Sequence, residues 1–406
     1  MRLFYWVFIL TVLHVSCQNR SESRQEASGS FAEDLDFLKK HLEVVVLSDL
    51  SGQTQVAVVP AYQGRVMTST ATGPGGNSYG WINYELIESG QWMDHINPFG
   101  GEDRFWLGPE GGQFSIFFPR DTQFNLDNWQ TPAPIDSEAY EIVSQSPQSI
   151  EFSHLMELEN YSGTTLKLRV DREIRLLDLQ QAERLLDVNL KGLAVVAYQS
   201  ENTISNTGQD PWVKENGLLS IWILGMFKPS SQTTVAIPYR QAADSTPVVN
   251  DNYFGKVPDD RLKIDENDQI IFFSGDGEFR SKIGLPTLRA KNIVGSYDAL
   301  TNTLTLVQYN KPENVTDYVN SMWEIQDQPY RGDVINAYND GPPEPGKEPL
   351  GPFYELETSS PAAALKPGES LTHIHRTFHI EGKSMLLNNV TESLLGVNLA
   401  KIEQAF

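Results

Sequence analysis

Apolar and polar residues alternate with a period of two along most of this chain. Between Thr164 and Leu176, the apolar Leu166, Leu168 and Val170 interleave with Lys167, Arg169 and Asp171, the pattern of a strand with one buried and one wet face. Similar short runs between turn clusters predict strands over Glu43 to Leu47, Gln55 to Tyr62, Gly64 to Thr70, Ser149 to Glu159, Leu193 to Ile204, Leu218 to Phe227 and Thr233 to Tyr239. Later runs predict strands over Gln269 to Ser274, Ile293 to Tyr297, Thr303 to Tyr309, Phe353 to Thr358 and Leu371 to Ile380. Helical spacing is read at the two ends. A capping box from Ser30 to Glu33, followed by Phe31, Leu35, Leu38 and Leu42 on one face, predicts a short amphipathic helix, and the tail Val390 to Ala405 predicts a closing one. With no repeat period and no low-complexity linker after residue 43, the expected fold is all-β: one large antiparallel β-sandwich domain over residues 30–406 with a short N-terminal helix.

The first sixteen residues, MRLFYWVFILTVLHVS, form an apolar run too short to span a bilayer and read as an export signal. Cys17, the only cysteine, follows Leu13, Val15 and Ser16 where a lipoprotein signal is cut. A lone thiol excludes an internal disulfide. Residues 1–17 are therefore read as a signal peptide with a lipobox-like Cys17, plain secretion being the alternative. Residues 18–29 are polar and read as a tether. The expected location is the cell envelope, with a lipid on Cys17 as the only membrane contact.

Charge narrows the ligand classes. The chain has 53 acidic and 31 basic residues, a formal net charge of −22, which argues against nucleic acid because phosphate binding needs basic patches. Phosphate-binding loops, dinucleotide fingerprints and nucleophile elbows are absent from the sequence.

Chemistry concentrates in five stretches. NPFGGEDRFWLGPEGGQFSIFF, Asn97 to Phe118, places Glu102, Asp103, Arg104, Trp106 and Glu110 among glycines, the residue types a hydroxyl-rich ligand needs. Its structural alternative is a loop ending in a strand from Gln113 to Phe118, with Trp106 as a core plug. Gly64 to Ile87 adds Arg65, Trp81 and Asn83, and His95 lies just before the first stretch. GDGEFRSKIGLP adds Arg280 and Lys282, and GDVINAYNDGP adds Asn339 and Asp340. In the last stretch, Glu355 and Glu357 share one strand face, and His373, His375 and His379 share another. If Ile374, Phe378 and Ile380 face the core, carboxylates and imidazoles line an accessible face suited to proton transfer. The structural alternative is that they are solvated outward residues. Metal ligation by His373 and His375 with Glu355 or Glu357 is a weaker reading without a compact metal motif, so no metal or cofactor is expected. His154, in phase with Ile150, Phe152 and Met156, reads as a core histidine. Arg65, Glu110, Lys282, Asn339 and Glu357 are expected to converge on one pocket, with the Glu355/Glu357 strand beside the His373/His375 strand.

GGEDRFWLGPEGGQFSIFF, GDGEFRSKIGL, GDVINAYNDGP and FYELETSSP together resemble a bacterial family of unknown function within the galactose mutarotase-like superfamily. The resemblance implies a large antiparallel supersandwich with a carbohydrate groove. Leu356 to Thr358 (LET) and Leu365 to Ser370 (LKPGES) resemble the blocks that carry the glutamate base in aldose 1-epimerases, which implies Glu357 as base and Glu355 as companion. The mid-chain Asn-His motif of those enzymes is missing; its counterpart SNTGQDPW has Asn206 and no imidazole, so His95, His373 or Glu110 would have to serve as acid. Three readings follow: a sugar epimerase or mutarotase, a non-catalytic glycan-binding lipoprotein, and a polysaccharide lyase or glycoside hydrolase on the same fold. The expected partner in each is a saccharide.

Overall fold

A computed structural model describes residues 29–242 and 245–406. The signal peptide, Cys17 and most of the tether lie outside the described residues. Among the described residues, eighteen strands form three antiparallel sheets. The largest has ten strands, in the order Leu262–Asp265, Ile270–Ser274, Thr233–Pro238, Ile293–Asp298, Thr303–Tyr309, Ser370–Glu381, Ala194–Asn206, Thr165–Leu177, Ser149–Glu159 and Glu141–Gln145. A five-stranded sheet orders Ser281–Pro286, Asp333–Asn339, Tyr354–Ser359, Ser220–Phe227 and Arg104–Gly108. Val45–Ser48, Gln55–Val59 and Arg65–Thr70 form the third.

The alternation read from the sequence sets what these sheets bury. In Thr165–Leu177, Leu166, Leu168, Val170 and Ile174 are all buried while Lys167, Arg169 and Arg175 are exposed. One apolar cluster joins residues of all three sheets, among them Val56, Phe105, Ile150, Leu168 and Ile223. The first helix, Phe31–His41, begins where the sequence places it, with Ser30 and Glu33 closing the capping box. The C-terminal tail splits into two helices, Ser384–Leu394 and Leu399–Glu403, whose Leu387, Val390 and Ile402 cover the outer face of the ten-stranded sheet beside Phe378 and Ile380.

Three expectations are corrected here. Gln113 to Phe118 is a run of turns and bends, with Gly112 at φ +83°; the strand of that stretch is Arg104–Gly108. The Glu355/Glu357 strand lies in the five-stranded sheet and the His373/His375 strand in the ten-stranded sheet, so they are not neighbours. The apolar side of Ser370–Glu381 faces the terminal helices and its histidine side faces the interior, so the imidazoles are fully buried.

The interior between the sheets is held by polar networks. Thr358, on the inner face of the five-stranded sheet, meets His373 Nε2 and His375 Nδ1 at 2.8 Å each. Burial lowers these imidazoles to about 3 and about 4, so both are neutral at physiological pH. Glu102 accepts from Ser69 Oγ (2.8 Å) and Tyr198 OH (3.0 Å) and sits 3.0 Å from His379 Nε2, tying the three-stranded sheet to the ten-stranded one. Arg172 Nη2 donates to Asp103 Oδ1 at 2.6 Å with both side chains fully buried. Losing one partner of such a pair costs about 3–5 kcal/mol.

Candidate functional site

Period-two geometry places Arg104, Trp106, Trp222, Leu224, Met226, Lys282, Tyr338, Glu355 and Glu357 on one face of the five-stranded sheet, opposite the core face carrying Phe105, Ile223, Ala337 and Leu356. Over this face lies a cavity of about 470 Å³. Trp106, Trp129, Trp222 and Trp323 wall it with Phe254, Tyr338 and Phe353. A smaller lobe of about 110 Å³ shares Glu110, Arg280, Lys282 and Trp323 with it. A larger depression of about 930 Å³ lies elsewhere, beside Lys263, Asp265 and Lys401. There Lys401 is already paired with Asp265 and Asp268, and no aromatic wall encloses a ligand apart from Phe272, so it is the weaker candidate.

The floor of the cavity is an ordered set of charges. Lys282 Nζ donates to Glu357 Oε2 at 3.0 Å, and Trp222 Nε1 donates to the same oxygen at 2.9 Å. Glu357 is fully buried, and its Oε1 has no protein donor. Arg104 Nη2 donates to Glu355 Oε1 at 3.0 Å, and its guanidinium lies over the Trp106 ring at 4.2 Å. Arg104 Nε and Nη1, Trp106 Nε1 and Trp129 Nε1 are buried donors with no protein acceptor. Arg280 is half-buried, stacked 3.8 Å over Phe254, and faces the same cavity.

Burial governs the carboxyl groups. It pushes Glu355 up to about 8; nearby Glu357 adds to the rise, while Arg104 and Lys282 oppose it. Glu110 is raised by burial against the pull of Lys282. Asp340 is raised by burial as well, although it accepts from Tyr338 OH at 2.6 Å and from the Gly351 N–H at 2.9 Å. Beneath Lys282, Asp333 accepts from Tyr253 OH at 2.6 Å, and burial lifts it to about 6. The cavity therefore holds carboxyl groups that titrate nearer neutrality than solvated ones do.

His95, Arg104, Trp106, Glu110, Lys282, Asp340 and Glu355 line this cavity, and Glu357 lies at its base through Lys282. Other expected residues lie elsewhere. Arg65 is fully buried and donates to the Gly100 carbonyl at 3.1 Å. Asn83 caps the helix Tyr84–Ser89, its Oδ1 accepting from the Leu86 N–H at 3.0 Å. Glu102 belongs to the interior network, and Asn339 points to the opposite sheet face, where its Oδ1 accepts from the Gly277 N–H at 2.8 Å. His373 and His375 meet Thr358 and no site carboxylate. The paired glycines of the first stretch have a backbone role. Gly100 and Gly101 adopt φ of +94° and +108°, and a Cβ on Gly100 would lie 2.0 Å from the Trp81 carbonyl oxygen. Sequence reasoning did not single out Trp129, Trp222, Trp323 or Phe254 as ligand walls; isolated aromatics in strands and loops look the same whether they plug a core or line a cavity.

These features define an antiparallel β-sandwich protein with an aromatic-walled, charge-floored cavity on its smaller sheet. The chain belongs to a family of unknown function, DUF6786, whose profile matches residues 29–406. No curated protein matches the chain in sequence. Among solved structures, the Slr1438 protein from Synechocystis sp. PCC 6803 is 14% identical, the match covering 84% of this chain and 96% of that one, with a TM-score of 0.48. A galactose mutarotase-like protein from Lactobacillus casei ATCC 334 is 9% identical, covering 83% and 100%, with a TM-score of 0.48. A galactose mutarotase related enzyme from Lactobacillus acidophilus is 9% identical, covering 83% and 97%, with a TM-score of 0.45.

Proposed function

We propose that this protein binds a saccharide in the cavity over its five-stranded sheet. The observation that carries this reading is the union of four tryptophans with Arg104, Lys282, Glu355 and Asp340 around one 470 Å³ space. Aromatic faces pack against the C–H faces of a sugar ring, and fixed donors and acceptors meet its hydroxyls. The volume suits it as well: a hexose filling space at the density of a protein interior takes roughly 200 Å³, so about two rings fit.

Acid/base action on the bound sugar is a second reading, favoured by Glu355 alone among the carboxyls aligned with the epimerase motif. A cavity-lining carboxyl that titrates near 8 is suited to exchange protons at neutral pH, whereas Glu357 is clamped by Lys282 and Trp222. On this reading Glu355 moves the proton and Glu357 positions Lys282. The N-terminal sequence supports export and lipid anchoring through Cys17 as part of the same proposal. Radiolabelled fatty acid should enter the wild-type protein and not Cys17→Ser; equal labelling would exclude the anchor.

The test is a titration of the purified protein with monosaccharides and oligosaccharides, followed by calorimetry and by NMR of the anomeric protons. Saturable binding supports the saccharide reading, and anomer exchange or product lost in Glu355→Gln adds catalysis. Absence of binding across the panel would overturn the proposal.

A further inference from the structure

The polar inventory of the cavity is asymmetric. A neutral sugar hydroxyl both donates and accepts, so a site built for hydroxyls alone presents both kinds of partner. Here the fully buried, unpartnered atoms of the lining residues are the donors Arg104 Nε and Nη1, Trp106 Nε1 and Trp129 Nε1, against one acceptor, Glu357 Oε1, at the cavity base. Arg104 is 3% exposed, so those donors have little access to bulk water. An unmet buried donor costs about 1–3 kcal/mol, more for a charged group, and a ligand acceptor recovers that cost.

One cation of the cavity has no ion-pair partner among the described residues. Arg104, Arg280 and Lys282 line one cavity of a chain with net charge −22. Lys282 is matched by Glu357 and Arg104 is partly matched by Glu355, while Arg280 has only the Phe254 face beneath it and makes no ion pair among the described residues. The other carboxyls of the wall are Glu110 and Asp340 inside and Asp94, Asp127 and Glu348 at the exposed mouth. Glu110, Asp340 and Glu355 are all shifted upward by burial, and none of them forms an ion pair with Arg280.

Resting on the saccharide reading above, we infer that the bound sugar is acidic, its anionic oxygen group held by Arg280 while its ring packs against the tryptophan walls. The Arg280 guanidinium supplies charge-assisted donors that suit a carboxylate, sulfate or phosphate. A uronic acid, a sulfated sugar and a sugar phosphate share this chemistry.

Calorimetric titration separates them: glucuronate and galacturonate, glucose 6-sulfate, and glucose 6-phosphate are each compared with glucose and galactose, alongside short oligomers of the uronates. Binding of any anionic arm at least tenfold tighter than its neutral parent is the expected result, and the tightest arm identifies the group. In Arg280→Gln that preference should shrink to threefold or less, with thermal unfolding within a few degrees of wild type. Neutral parents that bind as well as or better than their anionic counterparts would overturn this inference and leave the saccharide reading standing. Silence from every arm would overturn both.

Discussion

Glu355 and Glu357 differ in how each is held, and the difference has a pH signature. Glu357 accepts from both Lys282 and Trp222, whereas Glu355 has a single bond from Arg104 and is lifted by burial to about 8. In the unfolded chain Glu355 returns to the ordinary glutamate range near 4.5. Between those two values the folded state holds the proton and the unfolded state does not. This group therefore makes the protein lose stability as pH rises from about 4.5 to 8, by an amount on the order of a few kcal/mol. Thermal unfolding across that range should fall less steeply in Glu355→Gln than in wild type. Parallel curves would show that Glu355 is ionised in the fold like a solvated carboxylate.

At the scale of elements, the strands legible in the sequence were those with one wet and one apolar face, or with a plain apolar run. Ser149–Glu159 and Thr303–Tyr309 stand where their patterns place them. Arg104–Gly108, Ser281–Pro286 and Asp333–Asn339 went unread as strands, and all three belong to the five-stranded sheet. Their cavity faces carry Arg104, Lys282, Asn336 and Tyr338, and glycines flank them, so their patterns read as polar turns. The chemistry of the cavity was thus visible while three of the five strands that carry it were not. The histidine strand failed in the opposite sense. Alternation shows which residues share a face but not which face is covered, and here the terminal helices cover the apolar side. Thr358 is the hinge of that correction, since it joins the two sheets through both imidazoles. Thr358→Val leaves two buried ring nitrogens unmet and should cost about 2–5 kcal/mol in urea unfolding, while saccharide affinity stays within a few fold. A change under 0.5 kcal/mol would mean the imidazoles do not depend on that hydroxyl.

For the whole molecule, one apolar cluster shared by three sheets, two of them tied through Glu102, gives a rigid support, and the cavity sits on the five-stranded sheet's outward face. Large apolar side chains stay exposed at its mouth: Leu126 at 52%, Met93 at 47% and Phe254 at 43%. Apolar surface gathered at a pocket rim from separate loops is what a ligand-facing surface presents. The measurement that bears most directly on saccharide binding at this place is a titration of wild type and Trp323→Ala with the saccharide panel, read by tryptophan fluorescence and calorimetry together. Trp323 is a half-buried wall of both lobes, so its removal opens the cavity without cutting the sheet. The expected result is a saturable fluorescence change in wild type and affinity at least tenfold weaker in the variant. Binding that is equally tight in both proteins would place the ligand elsewhere and contradict the assignment of this cavity.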